Sequence, residues 1–156
     1  MREITINFDK GQLFESRNFA LLDGVVGLYL IFLKNIEIRY PIKTSRLIYI
    51  GMSEKITNSI GKRLSDHFEG TSGNFGISSY RKVDDIYFTH LNFETLRNTW
   101  DFSVEDLESY FILDFVKNYG VYPICNNKTG FEITKHKMNL TLLIDWKFFE
   151  KEPNHE

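Results

Sequence analysis

Arg63 and His67 stand four residues apart in a stretch whose apolar residues recur at Ile56, Ile60, Leu64 and Phe68. In a helix, positions i and i+4 lie on one face, so the two polar groups border the apolar stripe. A guanidinium there must be paired, extend its head to water, or line a cleft. Its planar donor fork suits a spread negative charge such as a phosphate, and an imidazole can take or relay a proton. The plainer reading is a stem-packed arginine beside a core histidine. Glu108 lies one residue past Leu107, on the edge of a second stripe of Val104, Leu107, Phe111 and Phe115. One carboxylate completed by carbonyl and water oxygens is a common way to hold Mg²⁺. The alternatives are a solvated glutamate favoured near a helix start, and Glu105 in the ligand role. Tyr29 and Tyr49 each sit beside a glycine, in Gly27-Leu28-Tyr29 and Tyr49-Ile50-Gly51. Glycine allows close backbone approach, and a phenol can donate, accept or lose a proton. Asn126 follows Pro123 by three residues; a turn asparagine is its simple reading, and Asn127 competes with it.

These groups need elements to hold them. Residues 25–33 form an apolar, β-branched run that reads as a buried strand, and 47–51 as a second strand pairing with it. Between them, 34–46 is polar and carries Pro41, a long hairpin connection. Ser53 reads as the N-cap of a helix over 54–68. The glycines and serines of 70–80 read as loop, and 83–93 as a third strand. Ser103 with Asp106 three residues on predicts a capped helix over 104–117, ended by Tyr119-Gly120. Residues 1–8 alternate weakly as an edge strand, 12–22 suggest a short helix, and 133–150 read as amphipathic, more helix than strand. The expected class is α+β: a short antiparallel sheet whose hairpin carries the two glycine–tyrosine motifs, flanked by helices.

The 156 residues suit one domain, and 42% hydrophobic residues supply a core. The longest apolar run, 25–33, is too short to span a bilayer, and no signal peptide is visible. One cysteine, Cys125, forms no internal disulfide, which fits a cytoplasmic setting. A net charge of −2 excludes a generally basic nucleic-acid binder. Charge is unevenly spread, however: residues 34–82 carry nine Lys or Arg against four acids. A local basic patch of this kind can meet phosphates.

In order, Gly27-Leu28-Tyr29, Tyr49-Ile50-Gly51, Arg63 with His67, Glu108 and Pro123-x-x-Asn126 resemble the GIY-YIG nuclease family over roughly residues 24–128. That leaves an N-terminal extension at 1–23 and a C-terminal amphipathic segment at 131–151. The resemblance implies a DNA endonuclease using one Mg²⁺ or Mn²⁺ held by Glu108. Arg63 would contact the scissile phosphate, and Tyr29 would act as general base or water positioner. Tyr49 and His67 would form the hydrogen-bonded surround, Asn126 would brace the Glu108 side, and Gly27 and Gly51 would support the tyrosines. A free tyrosine has a pKa near 10, so a basic Tyr29 requires positive charge nearby, from Arg63 or the metal.

The near-minimal chain and the 19 residues between the tyrosines resemble the family's restriction endonucleases. A structure-specific repair or homing nuclease, or an inactive nucleic-acid-binding module, are the other readings. Met52 stands where many relatives carry lysine, with Lys55 or Lys62 as substitutes. Lys43, Arg46, Lys55, Lys62, Arg81 and Lys82 are the candidate DNA contacts. Twofold DNA sites would call for a homodimer, with the aromatic C-terminal segment as its interface.

Overall fold

The computed structural model describes residues 2–127, 130 and 139–151. Its frame is a four-stranded antiparallel sheet built on β3 (Gly27–Leu33). All seven residues of β3 are buried, as a strand covered on both faces requires. β6 (Leu47–Ser53) pairs with β3 on one side, and β7 (Ile86–Asn92) on the other. The short β2 (Gln12–Leu13) extends the far edge beyond β7, so β6 is the opposite edge strand. The expected α+β class and the hairpin carrying both tripeptides are therefore present, with β4 (Ile38–Arg39) and β5 (Thr44–Ser45) as a small ladder inside the connection.

Alternation along the strands divides the core. Leu28, Leu30, Phe32, Leu47 and Ile50 face α4 (Val104–Tyr119), with Leu107, Phe111 and Phe115. Tyr29, Ile31, Leu33 and Ile48 face α1 (Ser16–Ala20), α2 (Ile60–Glu69) and α3 (Phe75–Tyr80). The β3–β6 register jumps from Ile31↔Tyr49 to Phe32↔Leu47. The extra residue in this bulge, Ile48, thereby joins Tyr49 on the α2 face.

α4 starts and stops as its sequence predicts. Ser103 and Asp106 form a reciprocal capping box, and Gly120 closes the helix at φ 100°. α2 does not. β6 runs on to Ser53, because Ser53 pairs with Gly27, and the Ser53 hydroxyl donates to the Asn58 carbonyl at 2.6 Å. That bond ties down the turn at 55–58, so the helix starts later, with Ser59 as its cap. Ile56, expected on the apolar stripe, is instead 72% exposed. The glycine-rich 70–80 region contains α3, which Asn74 caps by accepting from the Ile77 amide.

The two ends of the chain are integral to the domain. β1 (Arg2–Ile6) pairs in parallel with β8 (Leu140–Ile144), and β2 belongs to the main sheet. The expected helix over 133–150 is therefore a strand at 140–144, followed by a 3₁₀ turn at Trp146–Phe149; its part at 133–138 lies outside the described residues. Leu142, Trp146 and Phe149 are buried against α4, so these three residues belong to the core. Among the described residues, no helix is long and apolar enough to cross a membrane.

Candidate active site

The deciding local feature is the pairing of Tyr29 with Gly51 across the hairpin. A Cβ at Gly51 would collide with the Tyr29 ring and hydroxyl, so this glycine makes the floor on which the phenol lies. Gly27 serves a backbone approach: at φ 149° it sits against the Leu91 carbonyl, where a side chain would clash. Both glycines thus follow from how Tyr29 and its strand are packed.

Tyr29 has no exposed surface, and its hydroxyl lies 3.0 Å from Nε2 of His67. The Arg63 guanidinium and the Tyr49 hydroxyl also reach it. On its other side the imidazole meets Ser72, with Nδ1 to Oγ at 2.7 Å. Arg63 donates to the Tyr29 oxygen, and the roles of the two ring nitrogens follow the tautomer: with Nε2 unprotonated, Tyr29 donates to Nε2 and Nδ1–H donates to Ser72. Burial, with the charge of Arg63 adding to it, pushes the His67 pKa down to about 4 against an opposing pull from Asp66. The imidazole is therefore neutral at pH 7, as this arrangement requires.

The Tyr29 pKa moves opposite to the direction a stored phenolate needs. Burial is the largest influence and Tyr49 adds to it; Arg63 opposes both and is outweighed, so the pKa rises. Tyr29 is a protonated phenol throughout the physiological range, so the charge of Arg63 alone does not offset its burial.

Tyr49, Arg63, His67 and Glu108 line one cleft of about 690 Å³. α2 and α4 pack on opposite faces of the sheet, so residues from both can share a cleft only where a face ends. That place is the β6 edge near Met52 and Ser53, which also line the cleft. Glu108 comes from the α4 side and is 5% exposed. Tyr49 and Arg63, both half-buried, come from the α2 side. No known protein family, curated protein or solved structure matches the chain.

Asn126 holds the backbone of β6. Its Oδ1 accepts from the Ile50 amide at 3.0 Å, and its Nδ2 donates to the Ile50 carbonyl at 2.9 Å. The Cys125 amide donates to the Ile48 carbonyl just before it. The segment thus pairs the free edge of β6, and neighbouring Asn127 lines the cleft.

The six expected DNA-contacting cations divide. Lys55 lines the cleft. Lys62 does not; its ammonium holds Asp66 at 2.6 Å. Lys43 pairs with Glu150 at 3.3 Å, and Arg46 donates to the Leu33 and Phe148 carbonyls. Arg81 donates to the Phe68 carbonyl and lies 4.0 Å over its ring. Lys82 is exposed and, like these, is not in the cleft. Of the six, Lys55 is the one that lines the cleft, together with Met52.

Sequence reading did not single out Glu54, Asp66, Ser72 or Asn74, all of which line the cleft. Only Ser72 carried a usable signal: it follows His67 by five residues, just past the glycine that ends the helix. The donor set consists of oxygens, from Glu108, exposed Glu54 and the amides of Asn58 and Asn127. Among the described residues, no three His, Cys, Asp or Glu side chains gather as a metal cage. Such a set fits a hard divalent cation that keeps much of its shell as water and substrate oxygen.

Proposed function

We propose that this cleft hydrolyses phosphodiester bonds in DNA, making the protein a divalent-metal-dependent endonuclease of restriction or defence type. One observation carries the reading. A guanidinium, a phenol backed by a second, buried phenol, a neutral imidazole and a buried carboxylate converge on one cleft from opposite faces of the sheet. Each has a use in phosphoryl transfer, which needs charge stabilisation and a proton acceptor more than covalent chemistry.

Glu108 would hold the metal, leaving room for water and substrate oxygens. A bound Mg²⁺ or Mn²⁺ supplies charge neutralisation at the phosphate. Arg63 clamps the scissile phosphate through its donor fork while its other side holds Tyr29. Tyr49 is the phenol that faces the cleft, and it receives the proton of the attacking water. Its own proton passes to Tyr29, and that of Tyr29 to Nε2 of His67. The transfer is concerted, so no phenolate accumulates, and the raised pKa of Tyr29 is compatible with it. In this relay Nδ1–H donates to Ser72, which leaves Nε2 as the acceptor.

Incubation of the protein with plasmid and Mg²⁺ tests the proposal. Nicking or linearisation is expected from wild type and not from Glu108→Gln. Absence of cleavage across varied DNA, with binding retained, would leave the fold as a nucleic-acid-binding module. Cleavage confined to flaps or single strands would reassign it to structure-specific repair.

A further inference from the structure

A second groove lies at the other end of the sheet, lined by Lys10, Gly11, Phe32, Lys34, Arg46, Tyr87, Lys147 and Phe148. Its volume, about 420 Å³, is in the range of sites that hold a small organic unit. We propose that it binds a nucleotide unit of single-stranded nucleic acid, with the phosphate on its cations and the base against its rings. The inference does not depend on the reading of the cleft.

Composition is the first argument. Four of the eight lining residues are cations and none is an acid, in a chain whose net charge is −2. Lys10 and Lys147 make no ion pair with a described residue, and Lys34 reaches Asp85 only at 4.0 Å. All three are exposed, so their charge is offered to solvent. Arg46 differs: its bonds to the Leu33 and Phe148 carbonyls and its seat over the Phe32 ring hold the guanidinium in place. The groove thus combines one fixed planar guanidinium with three exposed ammonium groups.

The rings are the second argument. Tyr87 and Phe148 are half-buried at the groove, backed by buried Phe32, which stacks on Tyr87 at 6.0 Å and meets Phe148 edge-on at 5.6 Å. Bare anion capture has no use for solvent-facing aromatic rings. A base does, because stacking is tolerant of sequence and supplements the phosphate contacts. Gly11 lies against the Phe32 ring edge where a Cβ would clash. Position is the third argument. Phe32 is three residues along β3 from Tyr29, about 10 Å, and belongs to the α4-side core where Tyr29 belongs to the α2-side core. A strand in this groove therefore contacts a surface distinct from the cleft.

The test is fluorescence anisotropy with a labelled 12-nucleotide oligothymidylate, in EDTA and in an Arg63→Ala background, so that the cleft contributes neither cleavage nor its main phosphate contact. Lys10→Glu, Lys34→Glu and Lys147→Glu combined should weaken binding at least about tenfold and flatten the log–log salt slope by about 2. Tyr87→Ala alone should weaken it about fivefold or more. Circular dichroism and melting of each variant confirm the fold. Displacement by AMP at low millimolar concentration identifies free nucleotide as the ligand source, and displacement by oligonucleotide alone identifies a strand. The proposal is overturned if the parent does not bind the probe, or if the triple variant binds as well as the parent. It is equally overturned if polyglutamate competes as effectively as oligothymidylate while Tyr87→Ala has no effect.

Discussion

The two faces of the sheet do different work. On the α4 face, buried Phe111, Phe115, Tyr119, Trp146 and Phe149 form a continuous aromatic layer, with Phe115 stacked on Tyr119 at 4.3 Å. On the α2 face, the apolar packing of Phe19, Ile31, Leu64 and Ile77 surrounds a buried polar chain from Tyr29 through His67. Burying polar groups is favourable only when each finds a partner, and this chain supplies them. One face is therefore a layer of packed aromatic rings, and the other holds hydroxyls and an imidazole at fixed distances. The cleft opens at the β6 edge, where Glu108 brings a contribution from the aromatic face to the polar one.

Substitutions should separate the two. The largest expected effect is on activity: Glu108→Gln should lower plasmid cleavage by about 10³-fold or more while leaving the urea midpoint nearly unchanged. A large loss of stability instead would place Glu108 in the fold and not in the chemistry. Phe115→Ala is the counterpart on the aromatic face and should cost about 3–5 kcal/mol in denaturant unfolding. Activity per folded molecule should persist, measured well below the midpoint. Tyr29→Phe should reduce turnover by about 10²-fold, the low end of a general base's contribution. An effect below threefold would mean that the proton leaves by another route.

The pH dependence of stability sharpens the contrast. His67 has its pKa held down to about 4 in the folded chain, against an ordinary value of 6.5. Between these values the unfolded state binds more protons, so stability is full above about pH 6.5 and falls as pH drops toward 4. Linkage sets the loss on the order of 3 kcal/mol. His67→Gln should flatten that part of the profile in equilibrium unfolding from pH 4 to 7; an unchanged slope would assign it to carboxylates. The smallest effect is expected from Asn126→Ala, about 1–3 kcal/mol, because it strips the Ile50 amide and carbonyl of partners at the β6 edge. Any change in cleavage should follow that of stability. A selective loss of cleavage would return Asn126 to the site.

How legible each part was in the sequence follows from the range of the forces involved. The central hairpin, α4 and its caps were readable, because alternation, apolar periodicity and a capping box are local signals. The start of α2 was misread because Ser53 suits a cap as well as a strand end, and only its pairing with Gly27 decides between them. The C-terminal strand was misread because β8 exists by pairing with β1, more than 130 residues away in sequence. Arg63 and His67 were recognisable as neighbours, and Glu108 as a boundary carboxylate. That Tyr29 lies behind Tyr49, that Ser72 orients the imidazole and that Asn126 mimics a strand partner were not recognisable, since each depends on groups brought together by the tertiary fold.

By itself, the sequence determined an α+β domain with a glycine–tyrosine hairpin and the residue types that meet at the cleft. Those are properties of short windows, where side-chain chemistry and backbone preference act directly. The tertiary structure alone decided which phenol faces the cleft, which cation stands near it and which end of the sheet gathers the other charges. The reason is physical: burial, and with it pKa and partner choice, is set by what the rest of the chain places against a residue.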